Sequence, residues 1–397
     1  MKITLRTRLS LMAVAFGGLV LGCSSCGDDE TNVRADVVSS YAELVEASYK
    51  ESLDAAKVLN NAIKAFTANP SEAAFTEAKE AWLASREPYL QTEVYRFYEG
   101  PIDNETDGPE GLLNAWPMDE HFVDYTEGKP DAGLINDTSF AITAENIEGK
   151  NEEDGEKNIA TGYHAIEFLL WGEDTTEEAG AGQRPYTDYV TGDNGTAKNQ
   201  DRRAKYLEVT GDLLVSHLEQ VHSQWTTDGA YRKAFVADEA DKSLEKILTG
   251  MIVLAGFETG GERLQAALDS GSREDEHSCF SDNTHRDMVQ DVQGISNVFY
   301  GTYTFQDSTS WSGKGIKSVI EELDADLATT LGAEIDAALA SAKSLQVPFD
   351  MEIKPNNAAG RIRVEDLITK LFKVEATLRS VFNQMKFTVP ADAVPAE

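Results

Sequence analysis

The sequence predicts an all-α protein built as two helix bundles. Three observations lead there. Long stretches repeat apolar residues at the helical period, so each presents one apolar stripe that must be buried against another helix. No stretch sustains the apolar–polar alternation of a half-buried strand. The 397 residues suit two bundles better than one.

The first 22 residues stand outside the fold. Lys2, Arg6 and Arg8 form a basic start, and Leu9 to Val20 is an apolar run too short for a spanning helix. Leu19-Val20-Leu21-Gly22-Cys23 then resembles a bacterial lipobox, which implies cleavage before Cys23 and lipidation there. Residues 23–34, with Asp28-Asp29-Glu30, read as a polar lipidated tether. Ser24 follows the cysteine where an aspartate would signal retention at the inner membrane, so the expectation is an outer-membrane lipoprotein, facing the periplasm or the outside.

The first helix is expected over 36–67, where Tyr41, Leu44, Val45, Ala56, Leu59, Ile63 and Phe66 share a face. Ser48 and Ser52 fill that face between Val45 and Ala56 and weaken the stripe. Asn69-Pro70 ends this helix and opens the next, with the proline in its first turn; Phe75, Ala78 and Trp82 continue the period. Pro88 is expected to kink or end that second helix. Leu207, Leu214, Leu218, Val221 and Trp225 mark a helix over 201–226. Thr226-Thr227-Asp228-Gly229 is the junction between an N-terminal bundle, 35–228, and a C-terminal bundle, 229–390. In the second, Leu244, Ile247, Leu248, Met251, Leu254, Ala255, Leu264 and Leu268 mark 242–268, interrupted by Gly250, Gly256, Gly260 and Gly261. Single helices follow over 316–345 and 361–386. The polar segments 100–156, 172–200 and 270–283 cannot form a core, and loops of that length are usually functional or mobile.

The formal net charge is −34, and it becomes −37 once Lys2, Arg6 and Arg8 leave with the leader. That sign excludes nucleic acid as a partner, since a phosphate backbone needs a basic surface. It attracts cations, but the acids are spread along the whole chain, so solubility or adaptation to a saline habitat explains them best. Cys26 and Cys279 remain after lipidation; in an oxidising envelope they can pair, though Cys26 lies in the tether, which argues against a structural disulfide.

Chemistry concentrates in three places. In Gly162-Tyr163-His164-Ala165-Ile166-Glu167, His164 and Glu167 stand three apart on one helix face within an apolar run. They can reach one ion together. Neither HExxH nor its inverted form is present, because Phe168 follows Glu167. On spacing alone, a core histidine bonded to a carboxylate is the commoner outcome. The second place runs from Arg86 to Phe97, where Glu93 or Gln91 can face the His164 helix, or Arg86 and Tyr89 can simply hold a helix corner. The third, Glu274 to Asp287, offers His277, Cys279, Asp282 and His285 in an acidic loop, followed by a helix that Asp282 or Asn283 can cap. It reads equally as a solvated loop.

The three blocks together resemble the imelysin-like family, with Gly162-x-His164-x-x-Glu167 as its GxHxxE signature. Arg86-Glu87-Pro88-Tyr89-Leu90-Gln91-Thr92-Glu93 with Gly100-Pro101-Ile102-Asp103 is similar to the family's upstream block, and His277 to Asp287 to its iron-regulated protein A branch. The resemblance implies two helical bundles side by side with the GxHxxE helix near a groove between them. It also implies an envelope protein of bacterial iron uptake. On that expectation His164, Glu167 and Glu93 hold a divalent metal, iron or zinc, or an iron-bearing small ligand. Arg86, Tyr89, Gln91, His277, Asp282 and His285 border the groove, and an envelope iron-transport partner completes the picture. Zinc peptidase activity is the alternative, because the family is also grouped with metallopeptidases; yet a catalytic zinc needs three ligands and a base, and spacing fixes two. A helical adaptor without metal is the third reading.

Overall fold

The computed structural model describes residues 32–175 and 180–388. The leader, the lipidation candidate Cys23 and Cys26 lie outside the described residues; Cys279 is buried with a free thiol. No described helix is long and apolar enough to cross a membrane.

Long amphipathic helices supply the framework. The first, α1 (Val33–Ala68), buries the predicted stripe. Its weak stretch has a reason: Ser48 Oγ donates to Leu44 O and pairs with the Tyr95 hydroxyl at 2.9 Å, because a polar turn crosses α1 there. Helix α2 (Glu72–Leu90) starts behind Ser71, whose side chain accepts from Ala74 N, so Pro70 precedes the cap rather than occupying the first turn. Pro88 sits inside the last turn, and the helix runs two residues past it before giving way to a 3₁₀ turn, Glu93–Tyr95. Helix α3 (Gly162–Trp171) follows the long polar segment, then α4 (Gln200–Trp225), α5 (Ala230–Ala237) and α6 (Ala240–Val253).

The glycine-rich stretch neither breaks nor stays α-helical. It continues α6 as a π-helical segment, Leu254–Gln265. Gly250, just before it, lets the chain approach the 93–96 turn, since a Cβ there would lie 2.4 Å from Val94 O. After the 270–283 loop comes α7 (Thr284–Tyr300). Asn283 holds its N-cap position without a capping side-chain bond, and Asp282 takes φ +57°, so neither plays the expected role. The helix expected over 316–345 is two, α8 (Ile316–Leu323) and α9 (Ala325–Ala342), split where Asp324 caps α9 by accepting from Asp326 N and Leu327 N. The last long helix is α10 (Ala358–Gln384).

One hairpin was not anticipated. Strands Thr302–Thr304 and Ser310–Ser312 pair antiparallel, Tyr303 opposite Trp311, and three-residue strands are too short to show alternation. From Val33 onward the chain clusters as one compact unit. The junction near Asp228 does fall between α4 and α5, but α1 packs on α2 and α4 and also touches α6 and α8. The clustering therefore does not establish two separate bundles.

Candidate functional site

Helix α3 is buried at all ten positions, which requires every polar group it carries to find a partner. Gly162 opens it at φ +83°, where an added Cβ would lie 2.5 Å from Leu113 O; only glycine fits. One turn of helix then sets His164 Nδ1 2.9 Å from Glu167 Oε2. Glu167 Oε1 accepts from Ser281 N at 2.9 Å and Ser281 Oγ at 2.7 Å. Burial pushes the Glu167 carboxyl up to about 8, against the Ser281 hydrogen bonds and the Arg86 charge. Burial, with Arg86, holds the His164 imidazolium well below its ordinary range. His164 is therefore neutral at physiological pH, and its buried Nε2 has no hydrogen-bond partner among the described residues.

A second imidazole faces it. The 270–283 loop folds inward so that His277 is 2 % exposed, its ring 5.0 Å from that of His164 and 71° to it. Asp287, on the first turn of α7, fixes its orientation: His277 Nδ1 donates to Asp287 Oδ2 at 2.7 Å, and Ser278 Oγ and Arg86 Nη2 reach the same oxygen. Burial raises Asp287, but the Arg86 guanidinium and these hydrogen bonds outweigh it and hold the carboxyl far below the usual range. Burial, reinforced by Arg263, lowers His277 to about 3. A neutral His277 that donates through Nδ1 keeps its lone pair on Nε2. Arg86 is buried completely, bonded to Asn114 Oδ1 and stacked near the Tyr163, Trp82 and Tyr89 rings. It supplies the counter-charge for Asp287.

Beside the imidazoles lies a buried ion-pair network. Glu93 Oε2 accepts from Arg96 at 2.8 Å and Arg263 at 2.5 Å, and Arg263 Nη1 donates to Asp291 Oδ2 at 2.8 Å. Burial raises Glu93, but Arg96 and Arg263 outweigh it and bring it to about 2. Burial pushes Asp291 up to about 7 despite Arg263. Glu93 Oε1 and Asp291 Oδ1 are buried without a hydrogen-bond partner among the described residues.

The structure thus gathers His164, Glu167, His277 and Arg86, with Glu93 close enough for its charge to act on His164. Tyr89 is part of the aromatic wall around Arg86, its ring 4.7 Å from that of Tyr163 and tilted 45° to it. Gln91 folds back onto Glu87 O and does not join the imidazoles. His285 turns its Nδ1 to Asp282 O on its own turn, and Asp282 joins other carboxylates described below. Sequence reasoning did not single out Ser281, Asp287 or Arg263. Asp287 carried a signal, ten residues after His277 and one turn into a helix; Arg263, in a stretch read only as a glycine-interrupted helix, carried none.

The donor chemistry suits a borderline metal. Two neutral imidazoles, each oriented through Nδ1 by a carboxylate, is how metal-ligating histidines are commonly held. Among the described residues, however, the three donor side chains that converge within 4.8 Å lie elsewhere: Asp119, Glu120 and His121, half exposed on a short helical turn.

The imelysin family model matches residues 45–378. Iron-regulated protein A of Synechococcus elongatus is 21% identical over 378 residues, covering 94% of this chain and 92% of that protein. A solved structure described as an iron-regulated protein A precursor from Parabacteroides distasonis superposes with a TM-score of 0.69 at 18% identity, over 91% of this chain and 97% of the other. An imelysin-like protein from Psychrobacter arcticum superposes with a TM-score of 0.63 at 13% identity, over 90% and 98%. At these identities the two structures share the fold.

Proposed function

The chain belongs to the imelysin family, and from that premise we propose that it binds a divalent metal ion, or an iron-bearing small ligand, through His164 and His277. The observation that carries this is the pair of facing, neutral, buried imidazoles, with the Nε2 of His164 left without a partner. Burying an unsatisfied nitrogen costs free energy that a ligand would recover. His164 and His277 would be the ligands, and Glu93, whose buried Oε1 has no hydrogen-bond partner among the described residues, is the carboxylate candidate for a third. Glu167 and Asp287 would orient the rings, and the ion would supply a charge to which a carboxylate or an iron-bearing ligand can bind. This moves Glu167 from ligand to positioning residue, because both its oxygens are already engaged.

The name of the cyanobacterial relative supports iron over zinc as the ion that matters to the cell. The basic, apolar and lipobox-like leader supports a lipid-anchored envelope location, and the solved relative is itself described as a precursor. The peptidase reading gains less support. A buried Glu167 committed to His164 and Ser281 is not placed to activate a water.

The test is metal analysis of protein purified without chelators, alongside His164→Ala. The expected result is a stoichiometric transition metal in the wild type and a loss of at least about tenfold in affinity in the variant. Equal retention by both proteins overturns the assignment, as does chelator-sensitive peptide cleavage that Glu167→Gln abolishes.

A further inference from the structure

A different group of buried acids lies on the far side of the His277 loop. Three segments meet there. The chain after α3 brings Asp174, the 270–283 loop brings Glu276 and Asp282, and the short helix Phe349–Ile353 brings Asp350. They are drawn together by Gly182 N donating to Phe280 O at 2.9 Å, and by Arg361, which donates to both Leu268 O and Ile353 O. All four side chains are buried: Asp174 at 6 %, Glu276 at 0 %, Asp282 at 8 % and Asp350 at 5 % exposure.

Among the described residues, two of the four acids have an ion-pair partner within 4 Å. Arg273 reaches Asp174 at 3.6 Å and its charge also acts on Asp282, and Lys354 reaches Asp350 at 3.5 Å; Glu276 makes no ion pair among the described residues. Neither oxygen of Glu276 has a hydrogen-bond partner among the described residues; the Thr284 hydroxyl acts on it without a bond of ordinary geometry. Asp350 Oδ1 is buried and unpartnered as well. A buried carboxylate of this kind is either neutral or bound to a cation. The four acids lie near enough that Glu276 feels the charges of Asp350, Asp282 and Asp174.

We propose that Asp174, Glu276, Asp282 and Asp350 form a binding site for a hard divalent cation, calcium by preference. The donors are all oxygen, which disfavours the softer metals suited to the imidazole pair. They come from separate segments and no three converge within 4.8 Å, so the site must close on its ion. Calcium, with six to eight oxygens in flexible geometry, tolerates that better than magnesium. The site has a consequence for the imidazoles. Glu276 immediately precedes His277, and Asp282 follows Ser281, which holds Glu167. An ion between them pins both ends of the loop that completes the histidine pair.

The test uses the full chain stripped with chelator, followed by thermal unfolding with and without about 1 mM calcium, the concentration range of weak extracellular calcium modules. Sodium chloride at matched ionic strength is the control. Calcium should raise Tm by several degrees, and sodium should not. Glu276→Gln and Asp350→Asn should lose that rise and bind calcium at least about tenfold more weakly. In chelator Glu276→Gln should be no less stable than wild type, because a buried unpaired acid has gone. No calcium-dependent rise in the wild type overturns the proposal, whatever the variants do, and so does an undiminished rise in both. His164→Ala should keep the calcium response; its loss there would show that calcium acts at the imidazoles and not at this site.

Discussion

At the residue scale, the proton count around His164 makes a sharp demand. When Glu167 is protonated, its Oε2–H donates to His164 Nδ1, and the ring proton then sits on Nε2 and blocks it. To present Nε2 to a metal, His164 must donate through Nδ1, so Glu167 must be ionised. With Glu167 raised to about 8, each ion bound below that pH must release one proton. The affinity for a transition metal should thus weaken by about tenfold per pH unit as pH falls from 8 to 6, and level off above 8. Glu167→Gln should abolish the slope; isothermal titration across that range decides, and an unchanged slope in the variant contradicts the account. Arg86 makes a second demand. Replacing it with alanine strands a buried Asp287 charge and should cost about 3–5 kcal/mol, measured by urea unfolding. A loss below about 1 kcal/mol would show that Asp287 has another counter-charge. The His164–Glu167 contact was legible in the sequence because three residues of helix fix it. The approach of His277 to His164 was not, because no local period joins a loop to a helix more than a hundred residues earlier.

At the scale of elements, the glycine of the motif is structural. Gly162→Ala meets both a left-handed backbone and the Leu113 carbonyl, and should destabilise the fold by about 1–3 kcal/mol in denaturant titration. Wild-type stability for that variant would mean that α3 starts elsewhere. Helix positions were readable where one stripe of apolar residues dominates, as in α1, α4 and α10. They failed where a period runs unbroken through a change of element. The stripe from Ile316 to Leu339 passes straight over the Asp324 cap, and only the capping residue marks the split. The π-helical run Leu254–Gln265 is legible only as glycines out of place, since one wider turn shifts the period without erasing it. That run delivers Arg263 to Glu93 and Asp291, so the irregularity serves the buried network.

At the scale of the molecule, the acid excess separates into two populations. Most acids are exposed and repel one another, so raising salt from about 10 to about 200 mM should raise Tm by screening them. A fall in Tm by calorimetry would show that ion pairs, not repulsion, dominate the surface. A smaller group is buried, around the two imidazoles, in the pocket of Glu276 and in ion pairs elsewhere such as Asp124 with Arg184, where salt does not reach. Composition reported only the sum, so the concentration of acids beside the histidines was invisible until the loop was seen folded inward. The three sequence blocks meet in the fold: α2 with its 3₁₀ turn, α3, and the His277 loop leading into α7.

The account rests on two imidazoles sharing one ion. X-ray absorption spectroscopy of the zinc-loaded full chain counts them directly. It should show two imidazole nitrogens at about 2.0–2.1 Å, falling to one in His277→Ala. A wild-type spectrum with one imidazole or none, or one that His277→Ala leaves unchanged, would contradict it.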